Sequence, residues 1–148
     1  MILADLLQNN MLIVCIDANI YISAIAFGGK PSQIVELALS RKFYLVTSTS
    51  ILTEVKRNLI TKLEFAEDEV DNFLRDIIDV STVYKPTGEF NFIAHRGDNL
   101  VLETAYLGNA NIIVTGDKKA LLPLKVFQGI IIEPPSAFLA RLESIGTI

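Results

Sequence analysis

Four carboxylates stand where apolar segments end or helical patterns begin. Asp17 directly follows the apolar run "LIVCI", and Asp117 follows a second run, "NIIVT", with only Gly116 between. Glu54 lies early in one helical pattern, and Asp98 opens another. An ionised carboxylate is costly to bury unless a cation or a hydrogen-bond donor meets it. The four acids therefore need a common explanation if the fold brings them together.

Four acids gathered at one place would repel one another strongly. Two like charges about 5 Å apart repel by roughly 3 kcal/mol at an effective dielectric near 20. Several such pairs approach the whole stability of a domain, about 5–15 kcal/mol, so the cluster would need protons or a cation. Because the donors are carboxylate oxygens without a histidine or cysteine cluster, the fitting ion is Mg²⁺ or Mn²⁺. Such ions carry out phosphoryl chemistry by activating water and neutralising phosphate charge.

Each acid alone also has an ordinary structural explanation. Asp17 and Asp98 are residue types that cap helix N-termini. Asp117 suits a turn, and Glu54 suits the first turns of a helix, where an acid complements the dipole. Only the joint placement of the four acids favours a site.

The elements that would position the acids follow an alternating pattern. Apolar runs rich in β-branched or aromatic residues occur at "LIVCI", "FYLVT", "STVY", "NIIVT" and "GIII". None alternates with polar residues, which is typical of strands buried on both faces of a parallel sheet. Helical patterns lie between them, at "PSQIVELALSRK", "SILTEVKRNLI", "AEDEVDNFLRDIIDV" and "DNLVLETAYLG", and "PPSAFLARLESI" ends the chain. This order predicts an α/β fold, in which ligands bind at the carboxyl ends of parallel strands.

Composition restricts the class of protein. The chain of 148 residues is 51% hydrophobic, with a net charge of −4, which excludes a disordered tail and a broad basic field for nucleic acid. Its single cysteine, Cys15, lies inside the first apolar run and suits a small buried side chain in a reducing compartment. No apolar run has the length of a membrane span and no secretory signal precedes the domain, so we expect a cytoplasmic protein without membrane contact. We expect the folded domain to cover residues 11–148 and residues 1–10 to be an extension, with Met1 and Met11 as alternative starts.

Four segments together resemble the PIN-domain (PilT N-terminus) ribonucleases. They are "IVCIDANIYISAI", "TSTSILTEVKRNL" with Glu54, "DNLVLETA" and "ANIIVTGDKKALL", and the resemblance extends over nearly the whole chain after Met11. It is nearest to the group of toxin components of type II toxin–antitoxin systems. The resemblance implies a three-layer α/β/α sandwich with a central parallel sheet, and a metal-dependent endoribonuclease.

The resemblance also assigns roles to the four acids. Asp17, Glu54, Asp98 and Asp117 match the catalytic, metal-binding positions of the family. They would hold one or two ions of Mg²⁺ or Mn²⁺, with Glu54 completing the metal ligands or orienting the attacking water.

Other residues match positions beside the acids. Asn19 and Thr115 would contact the phosphate or a metal-bound water, and Gly116 matches a small residue that lets the backbone approach closely. Glu103 matches the "LExA" pattern of the group. It lies five residues after Asp98, about 140° round the helix, so we expect it at the periphery of the site.

One stretch departs from the family pattern. Relatives often have Asp-Pro-x-Asp-Asn before the third acid, whereas this chain has "HRGDN", so His95 and Arg96 replace the Asp and the Pro and Gly97 follows. Asp98 itself is intact, but the local charge differs. The alternative of a catalytically weak PIN-like scaffold that binds protein or RNA therefore stays open. An aspartyl phosphotransferase is disfavoured, because Asn19 stands where its second aspartate is needed.

The resemblance implies three partners: an RNA substrate, a protein antitoxin that covers the site, and a second copy of the chain in a homodimer. Lys56, Arg57, Lys118 and Lys119 are candidate phosphate contacts despite the overall acidity of the chain.

Overall fold

The computed structural model describes residues 11–148. The extension predicted for residues 1–10, and with it the choice between Met1 and Met11, lies outside the described residues. Six strands and six α-helices follow one another in this range: β1 (Ile13–Ile16), α1 (Ala18–Phe27), α2 (Gly29–Leu39), β2 (Tyr44–Ser48), α3 (Thr49–Thr61), α4 (Glu67–Asp79), β3 (Ser81–Tyr84), α5 (Arg96–Leu107), β4 (Ile112–Val114), β5 (Val126–Phe127), β6 (Ile130–Glu133) and α6 (Pro135–Ser144).

The strands form one six-stranded sheet in the order β3-β2-β1-β4-β6-β5. β1 pairs in parallel with both β2 and β4, and β2 with β3 and β4 with β6 are parallel as well. The six helices flank this sheet, which confirms the predicted three-layer α/β/α sandwich. The carboxyl ends of β1, β2, β3 and β4 therefore lie at one edge.

The sheet differs from the prediction at both of its margins. β5 was not predicted, and it pairs antiparallel with β6 through a tight turn in which Gln128 and Gly129 both have positive φ (49° and 83°). At the other margin, β3 was predicted to be buried on both faces, but Thr82 and Val83 are exposed because β3 is an edge strand.

The core lies on both faces of the central strands. All four residues of β1 are buried, and Cys15 is completely buried between β2 and β4, as its place in the apolar run predicts. Burial and, to a smaller extent, the charge of Asp17 raise the pKa of the Cys15 thiol far above its usual range. None of the helices described in residues 11–148 is long and apolar enough to cross a membrane.

The position of α5 depends on a close contact with β2. Gly108 follows the last residue of α5 with a φ of −85°, and the next residue, Asn109, has the left-handed conformation (φ 53°). The reason for glycine is space, since a Cβ added at Gly108 would lie 2.8 Å from Val46 Cγ1. This contact sets how closely the helix that carries Asp98 approaches the sheet.

We therefore expect Gly108→Ala to destabilise the fold by about 1–3 kcal/mol, the usual cost of forcing a methyl group into a filled space. Gly97→Ala, in the first turn of the same helix, is the control, because no atom of residues 11–148 lies within 4 Å of the added Cβ. Urea denaturation measures both variants. Equal stabilities of Gly108→Ala and the wild type would contradict the contact.

Candidate functional site

Asp17 lies at the end of β1 and is almost completely buried. Its backbone N–H donates to Val114 O (2.9 Å), which keeps the residue in the ladder with β4. Its Oδ1 accepts from the N–H of Ala18 (2.7 Å), so Asp17 caps α1. Its Oδ2 accepts from Thr115 Oγ1 (2.7 Å). The capping explanation is therefore correct, but it accounts for only one of the two oxygens.

Asn19 and Thr115 connect Asp17 to the loop that follows β4. Asn19 Nδ2 donates to Asp17 Oδ2 (3.3 Å), and Asn19 Oδ1 accepts from the N–H of Gly116 (3.3 Å). Thr115 Oγ1, besides donating to Asp17, accepts from the N–H of Asp117 (3.0 Å). A Cβ added at Gly116 would lie 3.7 Å from Asn19 Oδ1, an ordinary contact. The protein itself does not need glycine there, and a close approach by a substrate stays a prediction.

Glu54 is the sixth residue of α3 and not a first-turn acid. The helix begins earlier than the pattern indicated, because Ser48 is its N-cap and accepts from the N–H of Ile51 (3.3 Å). The dipole acts mainly within the first turn, so it does not explain Glu54. The charge of Glu54 raises the pKa of both Asp17 and Asp98, and Glu54 lines the same cleft as both of them.

Asp98 lies in the first turn of α5, at its third residue, and does not cap the helix. The N-cap is His95, whose side chain makes no capping bond. The neighbouring Asn99 instead organises the preceding loop: its Oδ1 accepts from the N–H groups of Phe92 and Ile93, and its Nδ2 donates to the carbonyls of Ile93 and His95. Capping as the explanation for Asp98 is therefore wrong, and the carboxylate is left facing the site.

Asp117 is held by the backbone of its own turn. Its Oδ1 accepts from the N–H groups of Lys119 (3.0 Å) and Ala120 (3.2 Å), and its Oδ2 accepts from Leu121 (3.4 Å). Burial alone would raise the pKa of Asp117, but these donors and a hydrogen bond from Asp98 lower it below its usual value. The turn explanation is correct, and it also fixes an ionised carboxylate beside Asp98.

The four acids line one open cleft of about 470 Å³, here called the acidic cleft. Its lining consists of Asp17, Asn19, Ile22, Glu54, Asn58, His95, Gly97, Asp98 and Asp117. The structure thus brings together the four predicted acids and Asn19, from four separate elements. Thr115 and Gly116 contact these residues from outside the lining.

The acidic cleft holds uncompensated negative charge. The pKa of Asp17 is raised from 3.8 to about 6, first by burial and then by the charges of Glu54 and Asp98, against the hydrogen bonds from Thr115 and Ala18. The pKa of Asp98 is also raised to about 6, by burial, by the charge of Asp117 and by the hydrogen bond between the two carboxyl groups. Among the described residues no lysine or arginine lines the acidic cleft, and only the charge of His95 opposes the rise in the pKa of Asp98.

The donors fit a hard divalent ion. In residues 11–148, no group of three or more acid, histidine or cysteine side chains is arranged to hold a metal ion. The fit rests on chemistry: the acidic cleft offers carboxylate oxygens and an amide oxygen in an open space, and Mg²⁺ usually takes one or two carboxylates and completes its coordination with water. A cation would also remove the repulsion that raises two of the pKa values.

Glu103 does not line the acidic cleft. Its side chain is 2% exposed and accepts from the N–H of Thr87 (2.6 Å), the hydroxyl of Thr87 (2.9 Å) and the N–H of Gly88 (3.0 Å). Burial opposes its ionisation, but these three donors lower the pKa of Glu103 below its usual value. Glu103 is the anchor of the loop that follows β3.

The four cations predicted as phosphate contacts have different surroundings in the structure. Lys56 pairs with Glu67 (3.3 Å) and Asp71 (2.9 Å) on α4, so it is not available to a phosphate. Lys118 and Lys119 are exposed in the turn after Asp117, and Arg57 lines a second cleft described below.

Asn58 was missed by sequence reasoning. It lines the acidic cleft one helical turn after Glu54, and this four-residue spacing on α3 would have indicated it.

Comparisons with known proteins identify the family and the fold. The sequence model of the PIN domain matches residues 13–119 of the chain. The chain belongs to the PIN domain family. Over 110 residues it is 34% identical to MJ1680, an uncharacterized protein of Methanocaldococcus jannaschii, and the match spans 71% of this chain and 70% of that protein.

A solved structure shares the fold. It is the crystal structure of VapBC2 from Rickettsia felis bound to a DNA fragment from their promoter, of which one chain superimposes with a TM-score of 0.59 and 18% identity. The alignment covers 83% of this chain and 98% of that chain. The match to the family model and the shared fold confirm the family resemblance stated from the sequence. The PIN family is a family of nucleases that generally use divalent metal ions.

Replacing Asp98 with Asn is expected to stabilise the metal-free PIN domain at pH 7. Because the folded-state pKa of Asp98 (about 6) exceeds the usual 3.8, the unfolded chain binds fewer protons between these values, and stability falls as pH rises through that window. Asparagine stays neutral and still offers a donor to Asp117. We expect a rise in Tm of about 2–4 °C, as ~1 kcal/mol produces in a domain of this size, at pH 7 and almost none at pH 4.

Thermal denaturation in EDTA at the two pH values measures this effect. Asp76→Asn, on the exposed side of α4, is the matched control and should change neither Tm. A gain at pH 4 as large as that at pH 7 would show that charge is not its cause.

Proposed function

We propose that this PIN protein is a metal-dependent endoribonuclease that hydrolyses RNA phosphodiesters, and that it is the toxin of a toxin–antitoxin pair. The observation that carries the proposal is the acidic cleft, in which four elements supply Asp17, Glu54, Asp98 and Asp117. Two of these acids have pKa values raised to about 6. A scaffold gains nothing from burying and crowding carboxylates in this way, whereas a divalent-ion site needs these donors.

Asp17, Asp98 and Asp117 would hold one or two ions of Mg²⁺ or Mn²⁺. The bound metal supplies a lowered pKa for a coordinated water and charge neutralisation on the phosphate oxygens. The hydrogen bonds from Thr115 and Ala18 fix the orientation of Asp17, and those from the 119–121 turn fix Asp117. Preorganised carboxylates of this kind need not rearrange during the reaction.

Glu54 has a different role in the proposal. Unlike Asp17 and Asp117, its carboxylate accepts no hydrogen bond from the described part of the chain, and Glu54 lines the acidic cleft together with Asp17 and Asp98. It is therefore free to accept a hydrogen bond from the attacking water and to orient it. Asn19, fixed between Asp17 and Gly116, would position the phosphate.

Cleavage of a mixed fluorescent RNA pool with Mg²⁺ or Mn²⁺ tests the proposal. We expect the wild type and the control Asp76→Asn to cleave, EDTA to silence both, and Asp98→Asn to lose about 100-fold or more, since even indirect supports of metal ligands cost 10–100-fold. Equal residual cleavage by Asp98→Asn would identify a contaminant. RNA binding without cleavage by the folded wild type would support the scaffold alternative, with the His95-Arg96-Gly97 departure as its first explanation.

The antitoxin and the homodimer are further parts of the proposal. The VapBC2 complex, whose chain shares this fold, supports a protein partner. The exposed aromatic side chains of Phe92 and Tyr106, 55% and 50% exposed, form a cluster with Phe90 and Phe127. Clustered apolar surface of this kind is typical of interaction sites.

Sedimentation of the purified chain, alone and co-expressed with a small DNA-binding protein from a neighbouring gene, measures both associations. We expect a dimer of the chain alone and a larger, inactive complex with the partner. A monomer whose cleavage of RNA is unaffected by that partner would contradict this part of the proposal.

A further inference from the structure

A second cleft lies beside the acidic cleft and differs from it in charge. It has a volume of about 360 Å³ and shares Glu54 and Gly97 with the acidic cleft. Its cations are Arg57 on α3, Lys85 directly after β3 and Arg96 at the start of α5. We call it the basic cleft. Because the two clefts share lining residues, one extended ligand would run through both.

The charges of the basic cleft are not used inside the protein. Arg57, Lys85 and Arg96 are exposed and make no ion pair or side-chain hydrogen bond with residues 11–148. The preceding residue on the same helix, Lys56, is in contrast paired with two acids. Three uncompensated cations around one cleft are unexpected in a chain of net charge −4, and they indicate an anionic ligand.

The other polar groups of the basic cleft suit the same ligand. Thr49, Ser50 and Thr53 line it at the start of α3, so hydroxyl donors surround the cations. Hydroxyl groups, guanidinium groups and ammonium groups are the usual contacts of phosphate oxygens in nucleic-acid complexes. An exposed phosphodiester fits this set of donors.

Glu103 positions one wall of the basic cleft. The loop that it anchors at Thr87 and Gly88 begins with Lys85. The guanidinium group of Arg96 lies against this loop, since a Cβ added at Gly88 would be 3.3 Å from Arg96 Nη2. A buried carboxylate with three donors thus holds the backbone that sets the places of two of the three cations.

We propose that the basic cleft binds the backbone phosphate of the RNA nucleotide next to the one that is cut, through Arg57, Lys85 and Arg96. This rests on the proposed function, because it places the cut in the acidic cleft. Glu103 is a positioning residue that acts through the loop and touches no substrate. In this arrangement, Arg96 of the "HRGDN" stretch, which stands where relatives often have Pro, contacts the substrate. This contact would explain why the stretch differs from the family pattern.

RNA binding is measured separately from cleavage to test the proposal. Asp98→Asn, with EDTA present, binds a fluorescent single-stranded RNA without cutting it, and anisotropy is followed over a range of NaCl concentrations. Arg57→Gln, Lys85→Gln and Arg96→Gln, each added to this background, should weaken binding roughly tenfold and reduce the slope of log K against log salt by about 0.7. Lys42→Gln, before the amino end of β2 at the opposite edge of the sheet, is the matched control and should change neither.

Kinetics with intact Asp98 give a second readout. Loss of a phosphate contact that is made equally in the ground state and the transition state raises KM and leaves kcat unchanged. We expect this pattern for the three variants. A fall in kcat at constant KM would overturn the assignment.

Glu103→Gln and Thr87→Val test the positioning role. Glu103→Gln replaces the carboxylate that accepts these hydrogen bonds, and Thr87→Val removes the hydroxyl donor; both substitutions conserve the shape of the side chain. If one variant fails to fold, the other still tests the role. We expect weaker RNA binding that is not additive with Arg96→Gln, since both changes act on the same cation. Full additivity would overturn the role of Glu103.

The outcomes separate the two proposals. Unchanged RNA affinity and salt slope in all three cation variants would overturn the basic cleft, even if the wild type cleaves RNA. A fluorescent oligoglutamate peptide, titrated against the same variants, tests the other kind of anionic ligand. If the cation variants lose binding of this peptide while their RNA binding is unchanged, the proposal is overturned as well, and the cleft is assigned to an acidic protein segment. Weakened binding in a protein that never cleaves RNA would support the cleft and reject the nuclease.

Discussion

The burial of the Asp17 carboxylate at the end of β1 is the constraint on which the site depends. β1 is buried along its whole length, and Asp17 is the first polar residue after it. One carboxylate oxygen of Asp17 accepts from the N-terminus of α1, and the other accepts from Thr115, which follows the neighbouring strand β4. These bonds orient the carboxylate without neutralising it, and burial still raises its pKa to about 6. The charges of Glu54 and Asp98, which line the same cleft, contribute to this rise.

The supporting polar residues carry no net charge into the cleft, yet they determine its shape. Asn99 joins the loop before α5 to the first turn of that helix through four hydrogen bonds. Asp98, the preceding residue, does not cap the helix and lines the acidic cleft instead. Thr104 donates to Ser48 (2.9 Å), which joins α5 to the N-cap of α3. The two helices that carry Glu54 and Asp98 are thereby connected close to the sheet.

Much of this arrangement follows from local pattern. The apolar runs located five of the six strands, and the residue types at their ends identified the four acids before any geometry was known. The errors arose where the local signal has two meanings. An aspartate at a helix start is a cap or a ligand, and for Asp98 only the long-range contacts of the preceding loop decide. Of the three cations of the basic cleft, only Arg57 was predicted as a phosphate contact. Lys85 and Arg96 lie at the two ends of a stretch without periodicity, whose loop is held by the hydrogen bonds of Glu103 with Thr87 and Gly88.

The buried thiol in the middle of the sheet has a practical consequence. Cys15 is the only cysteine of the chain and lies on the central strand between β2 and β4, with its ionisation suppressed by burial. A thiol reagent reaches Cys15 only when those strands separate, because its side chain is completely buried. Separation also lets the thiol ionise, and the thiolate is the reactive form. The protein therefore contains its own exchange probe: the labelling rate of one natural residue measures the opening free energy of the strand that ends at the acids.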